Sequence, residues 1–166
     1  MNVEKSELDG VILIKLDCFE DHRGEYVELY NRQRYHTEGI DVDFVEDDIS
    51  IATRGVIKGI HGDPVTWKLI SCLHGKFYLV VINYDETSVN FGKWQSFVLS
   101  ESNKKQVLVP PKHGNGHLCL SNKSIFHYKQ SQYYEPARQF TIKWNDPKFK
   151  IWWPVKEPIL SMRDER

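Results

Sequence analysis

Turn-forming residues punctuate this chain at short, even intervals, and that rhythm limits its possible folds more than any other feature. Apolar and β-branched runs alternate with His74-Gly75-Lys76, Asn90-Phe91-Gly92, Glu101-Ser102-Asn103, Pro110-Pro111, Ser121-Asn122-Lys123 and Glu135-Pro136. The pattern predicts strands over residues 11–16, 25–29, 44–51, 55–61, 67–73, 77–84, 94–99, 107–109, 117–120, 125–132 and 140–144. Helical character is confined to a polar stretch over 30–39 that stops at Gly39. Short strands with turn signals every 8–12 residues or so indicate an antiparallel sandwich or barrel, an all-β class with minor short helices. Phe77 to Tyr84 is apolar almost without interruption, as in a strand buried on both faces. The aromatic, proline-punctuated tail over 151–166 is expected to pack back on the domain.

The 166 residues suit a single domain over 1–166, one that buries roughly two thirds of the surface its unfolded chain exposes. Its 22 basic and 23 acidic residues are mixed throughout, and this argues against a nucleic-acid partner. No apolar run approaches the roughly 20 residues that cross a bilayer. The start, Met-Asn-Val-Glu-Lys-Ser-Glu, does not read as a secretory signal. Cys18, Cys72 and Cys119 are odd in number and far apart, which fits reduced thiols and a cytoplasmic location.

Chemistry concentrates around Arg54-Gly55-Val56-Ile57-Lys58-Gly59-Ile60-His61-Gly62-Asp63, followed by Trp67-Lys68-Leu69-Ile70. His61 and Lys68 flank a tight loop and can point into one cavity, a pairing suited to removing a proton beside a carbonyl while a cation holds the enolate oxygen. On spacing alone the stronger reading is that they are cavity-wall or surface residues, as one His and one Lys in strands more often are. In Phe126-His127-Tyr128-Lys129-Gln130, strand alternation puts Phe126, Tyr128 and Gln130 on one face and His127 and Lys129 on the other. Tyr128 can serve there as a general acid or as packing. His113 and His117 in the glycine-rich Pro110-Pro111-Lys112-His113-Gly114-Asn115-Gly116-His117 are two ligands where a metal needs three or four, so no metal is expected.

Taken together, these segments resemble the sugar-nucleotide 3,5-epimerases typified by dTDP-4-dehydrorhamnose 3,5-epimerase. Matches run from Asp21-His22-Arg23-Gly24 through Phe44-Val45-Glu46-Asp47-Asp48, Arg54 to His61, Phe91-Gly92-Lys93-Trp94, Val109-Pro110-Pro111, Tyr128-Lys129, Tyr133-Tyr134 and Trp144-Asn145-Asp146-Pro147 to Asp164. The resemblance implies a cupin jelly-roll barrel, a homodimer, a nucleotide-linked 4-keto sugar as substrate, and no cofactor. It implies His61 as the base, Asp164 as the carboxylate that orients it, Lys68 beside the enolate and Tyr128 as the acid. It carries diphosphate and sugar contacts onto Arg23, Glu28, Lys58 and Tyr134, where Lys58 stands for an arginine and offers a point charge instead of a fork.

Several positions leave the family pattern. Gly62-Asp63 replaces an aromatic-glutamine pair, the loop to Lys68 is shorter, Asn115 replaces a histidine, and Glu46 and Asp48 stand where amides are common. Asp48, Asp63 and Asn115 are therefore added as candidate substrate contacts. The shortened pattern resembles the capsular branch acting on GDP-linked 4-keto-6-deoxy-heptoses, and Gly62 would open room beside the sugar for a seventh carbon. The alternatives are a dTDP-4-dehydrorhamnose 3,5-epimerase, a sugar-nucleotide 3,4-ketoisomerase, and a cupin that binds a nucleotide sugar without turnover.

Overall fold

A computed structural model describes residues 1–165; Arg166, the end of the expected domain and tail, lies outside the described residues. In chain order the strands are β1 (Asn2–Lys5), β2 (Ile12–Lys15), β3 (Phe19–Asp21), β4 (Gly24–Tyr26), β5 (Glu46–Thr53), β6 (Ile57–Gly62) and β7 (Lys68–His74). They continue as β8 (Lys76–Asn83), β9 (Trp94–Ser100), β10 (Lys105–Val109), β11 (His113–Cys119), β12 (Lys123–Gln130) and β13 (Phe140–Thr141). One helix, α1 (Arg32–Thr37), and a single 3₁₀ turn (Pro136–Arg138) are the helical parts among the described residues. Two antiparallel sheets face one another, β1-β2-β10-β7-β12-β5 and β13-β6-β11-β8-β9. The all-β jelly-roll expectation is met, and among the described residues no helix is long and apolar enough to cross a membrane.

Three apolar layers hold the sandwich. Between the sheets, Ile70 and Cys72 of β7 and Phe126 of β12 meet Phe77, Leu79 and Val81 of β8. The other face of β8 (Tyr78, Val80, Ile82) is covered by Ile142, Phe149 and Trp153, so this strand is buried on both sides as its unbroken apolar run requires. Outside the larger sheet, Leu69 and Leu108 pack under Tyr35 of α1 and Ile40. The tail does fold back: Ile159 accepts from Ile57 N–H at 3.0 Å and donates to Gly55 O at 2.9 Å, a short parallel bridge onto the start of β6.

Several boundaries differ from the sequence expectation. β1 has no strong apolar pattern and forms by pairing with β2. The strand expected over 25–29 shrinks to Gly24–Tyr26 in a hairpin with β3, while Val27 and Leu29 turn to the outer apolar layer. β11 begins at His113, four residues earlier than expected, because its glycines let it lie close under β6: a Cβ on Gly114 would sit 2.8 Å from Ile60. The strand expected over 140–144 keeps only two residues, Phe140 opposite Gly62 and Thr141 opposite His61.

Candidate active site

Apolar residues fill one end of the sandwich, and the strands change character toward the other. Along β7 the inward positions run from Cys72 and Ile70 to Lys68, and along β12 from Phe126 through Tyr128 to Gln130. The result is a cavity of about 550 Å³. β5 contributes Glu46, Asp48 and Ser50, β6 contributes Lys58, Gly59 and His61, and β11 contributes Asn115 and His117. Tyr134, Gln139 and Arg163 complete its rim. His61 therefore projects from the smaller sheet, while Lys68 and Tyr128 project from the larger one, on the opposite wall.

Both ring nitrogens of His61 have a close polar neighbour, and the one at Nδ1 is a hydrogen bond. Nε2 lies 2.9 Å from Asp164 Oδ1, and Nδ1 lies 3.0 Å from the Thr141 hydroxyl. Asp164 is buried, and its other oxygen takes the Ser161 hydroxyl at 2.9 Å. Burial lowers the His61 pKa below the usual imidazole value, the Arg163 charge adds to the effect, and Asp164 opposes it. The ring is thus neutral near pH 7, the form that accepts a proton. Lys68 has Asn115 Oδ1 as its polar neighbour at 3.4 Å, and burial pulls its ammonium down to about 8. Burial, then the charges of Asp48 and Glu46, pushes the Tyr128 phenol up to about 12, so it keeps its proton.

The remaining polar groups form a graded wall. Gln130 Nε2 donates to Glu46 at 2.7 Å and to Asp48 at 3.1 Å; burial and then Glu46 raise the Asp48 pKa. Further along β5, Lys58 Nζ donates to Ser50 Oγ at 2.7 Å and Ile51 O at 3.1 Å. His117 is stacked on Phe126 with ring centroids 4.0 Å apart, and burial brings its pKa to about 3. Among the described residues no three histidine, cysteine or carboxylate side chains converge as metal ligands.

His61, Lys68, Tyr128, Lys58, Asp48, Asn115 and Tyr134 thus share one cavity, with Asp164 behind His61. Three expected contacts do not reach it. Arg23 is exposed in the β3–β4 hairpin and pairs with Asp21, while Glu28 pairs with Arg34 at 2.9 Å. Asp63 is buried under the 3₁₀ turn, accepting from Val65 N–H at 2.8 Å and Arg138 Nε at 3.2 Å, so it braces a loop instead of facing a ligand. The room expected beside Gly62 is also absent: a Cβ there would lie 2.2 Å from the Phe140 ring and 2.5 Å from His113 O. Thr141 and Arg163, both at the imidazole, were not among the residues expected from sequence. Thr141 had no signal, because a two-residue strand carries no periodicity; Arg163 had only its adjacency to Asp164 to mark it.

Residues 5–166 match the family model described as dTDP-4-dehydrorhamnose 3,5-epimerase. The chain is 37% identical, over its full length and 92% of the relative, to the dTDP-4-dehydrorhamnose 3,5-epimerase of Escherichia coli K12. The crystal structure of dTDP-6-deoxy-D-glucose-3,5-epimerase from Legionella pneumophila in complex with dTDP-4-keto-L-rhamnose superposes with a TM-score of 0.94 at 33% identity, covering 99% of this chain and 89% of that one. A 4-keto-6-deoxy sugar epimerase of Streptomyces spheroides gives the same TM-score at 27% identity, with coverage of 99% and 85%.

Proposed function

The chain belongs to the dTDP-4-dehydrorhamnose 3,5-epimerase family, and from that premise we propose that its cavity inverts C3 and C5 of a dTDP-linked 4-keto-6-deoxy sugar. The observation that carries the reading is the placement of a neutral, carboxylate-backed imidazole on one wall and a protonated phenol on the other, with an ammonium beside them. The 4-keto group acidifies the hydrogens at C3 and C5. His61 takes one of them, Lys68 balances the charge that develops on the enolate oxygen, and Tyr128 returns a proton to the opposite face of the carbon. Removal from one wall and delivery from the other is what inverts the centre. The cycle uses protons only.

The GDP-linked heptose suggested by the shortened stretch finds no support in the relatives, which are named for dTDP or 4-keto-6-deoxy sugars. Its steric basis fails as well, since Phe140 fills the space beside Gly62. Incubating dTDP-4-keto-6-deoxyglucose in deuterated water is expected to place deuterium at C3 and C5, read by NMR. His61→Ala should abolish incorporation, whereas Tyr128→Phe should retain exchange and lose inversion. Full exchange with His61→Ala would overturn the assignment of the base, and a carbonyl moved to C3 would overturn epimerisation itself.

The proposed enzyme is one domain acting as a homodimer. Arg23 and Glu28 lie outside their own chain's cavity, so a diphosphate contact from them needs a second copy. β5 is an unpaired sheet edge that exposes Ile49 and Ile51, a surface that such a copy can cover. Light scattering behind size exclusion should return twice the chain mass of 19.5 kDa.

A further inference from the structure

Thr141 sits directly across from His61 where β13 pairs with β6, and its hydroxyl is 3.0 Å from His61 Nδ1. The charged group behind the ring sets its polarity, because an ionised carboxylate can only accept. Arg163, a donor only, points Nη2 at Thr141 Oγ1 from 3.5 Å and takes one of its two lone pairs, so the hydroxyl hydrogen remains free to be donated to the ring. On the far side, Asp164 Oδ1 lies 2.9 Å from Nε2, a close electrostatic contact and not an aligned hydrogen bond, and the second carboxylate oxygen is taken by Ser161. One hydroxyl thus faces Nδ1 on one side, and an acceptor-only carboxylate lies at Nε2 on the other. The tautomer with Nε2–H is the one that keeps a ring lone pair away from the carboxylate, and it leaves Nδ1 to accept from Thr141.

We infer that Thr141 is a positioning residue for the base: its hydroxyl donates into the Nδ1 lone pair, fixes the tautomer with Nε2–H toward Asp164, and holds that lone pair until a substrate proton takes its place. The hydroxyl reaches Nδ1 by a χ1 choice on an exposed threonine, so rotation to another staggered well releases the nitrogen without backbone movement. The resting base is then neutral and aligned but capped, and arrival of the sugar uncaps it. This role rests on reading His61 as the base, whereas the hydrogen bond itself does not depend on that reading.

The charged groups facing the ring are Asp164 and Arg163 from the tail and Lys68 from the opposite sheet; Thr141 is the neutral one. A donor into Nδ1 favours the uncharged ring, so removing it must raise proton affinity. Titrating His61 by NMR in protein labelled on histidine, without substrate, tests this. Thr141→Val should move the midpoint upward by about half to one pH unit, a three- to tenfold gain in proton affinity. Thr141→Ser should return it to the wild-type value. An unmoved midpoint in Thr141→Val, or a Thr141→Ser midpoint shifted equally far, overturns the inference. Solvent exchange on the 4-keto sugar supplies the second arm: the acid limb of its pH profile should move up with the titration. If the midpoint moves while no variant, wild type included, exchanges solvent deuterium, the proposed function fails and the Thr141 contact stands.

Discussion

Lys68 shows how a single residue can be costly to the fold and useful to the site. It is buried against a neutral amide, and desolvation lowers its pKa from 10.5 to about 8. A folded pKa below the unfolded one means that the unfolded chain binds more protons between those values. The destabilisation is therefore fully present below pH 8 and is relieved as pH rises from 8 toward 10.5. Lys68→Met, which keeps the chain length and drops the charge, should stabilise the protein at pH 7 by on the order of 1–3 kcal/mol and flatten that alkaline gain. Urea unfolding at pH 7 and pH 10 measures both. Activity should move the other way, by about a hundredfold or more, because the proposed cycle loses the ammonium that balances its enolate. The wild-type rate should fall above pH 8 or so as Lys68 deprotonates, while Tyr128, at about 12, stays a donor throughout. A Lys68→Met enzyme that is both less stable and equally active would refute this account of Lys68.

Among the elements, β12 was the most legible in the sequence and β13 the least, for a physical reason. Alternation along eight residues puts Phe126, Tyr128 and Gln130 into the cavity and His127 and Lys129 onto Asp47 outside it, as period-two reading requires. His61 and Lys68 were legible as a pair for the same reason, since each sits at the cavity end of a strand. β13 has two residues and exists because Phe140 lies across Gly62, a tertiary contact that no local pattern encodes. Asp63 and Gly62 were read as substrate-facing for want of that contact: the chain after His61 is covered by the segment from Pro136 to Thr141. A substitution tests the arrangement. Gly62→Ala puts a Cβ against both the Phe140 ring and the His113 carbonyl, so it should destabilise by about 1–3 kcal/mol. Adding Phe140→Ala should recover only part of that loss, because the backbone carbonyl remains at 2.5 Å. Thermal melts of the single and double variants decide it, and a Gly62→Ala chain as stable as wild type would show that β13 is not seated on Gly62.

For the molecule as a whole, no single element holds the site. His61 comes from one sheet, Lys68 and Tyr128 from the other, and Asp164 and Arg163 from the last turn of the tail. The sheets are fixed to each other by the central apolar layer, but the tail reaches His61 from its bridge at Ile159 and the aromatic packing of Trp153 beneath β8. Position 159 is therefore a remote handle on His61. Ile159→Pro deletes the N–H that donates to Gly55 O at 2.9 Å and leaves the cavity walls untouched. It should lower solvent exchange at least as far as Asp164→Asn does, because it withdraws the orienting carboxylate together with Arg163. The cost to global stability should be modest, about 1–2 kcal/mol, since Ile159 is exposed and the inter-sheet core is intact. The two variants should also differ at the imidazole. Asp164→Asn removes the neighbour that raises the His61 pKa and leaves Arg163, so the ring titrates lower; Ile159→Pro removes both, and the two changes oppose each other. Deuterium incorporation and His61 titration on the same samples separate these outcomes, and an Ile159→Pro enzyme with full exchange would mean that the tail docks without its bridge.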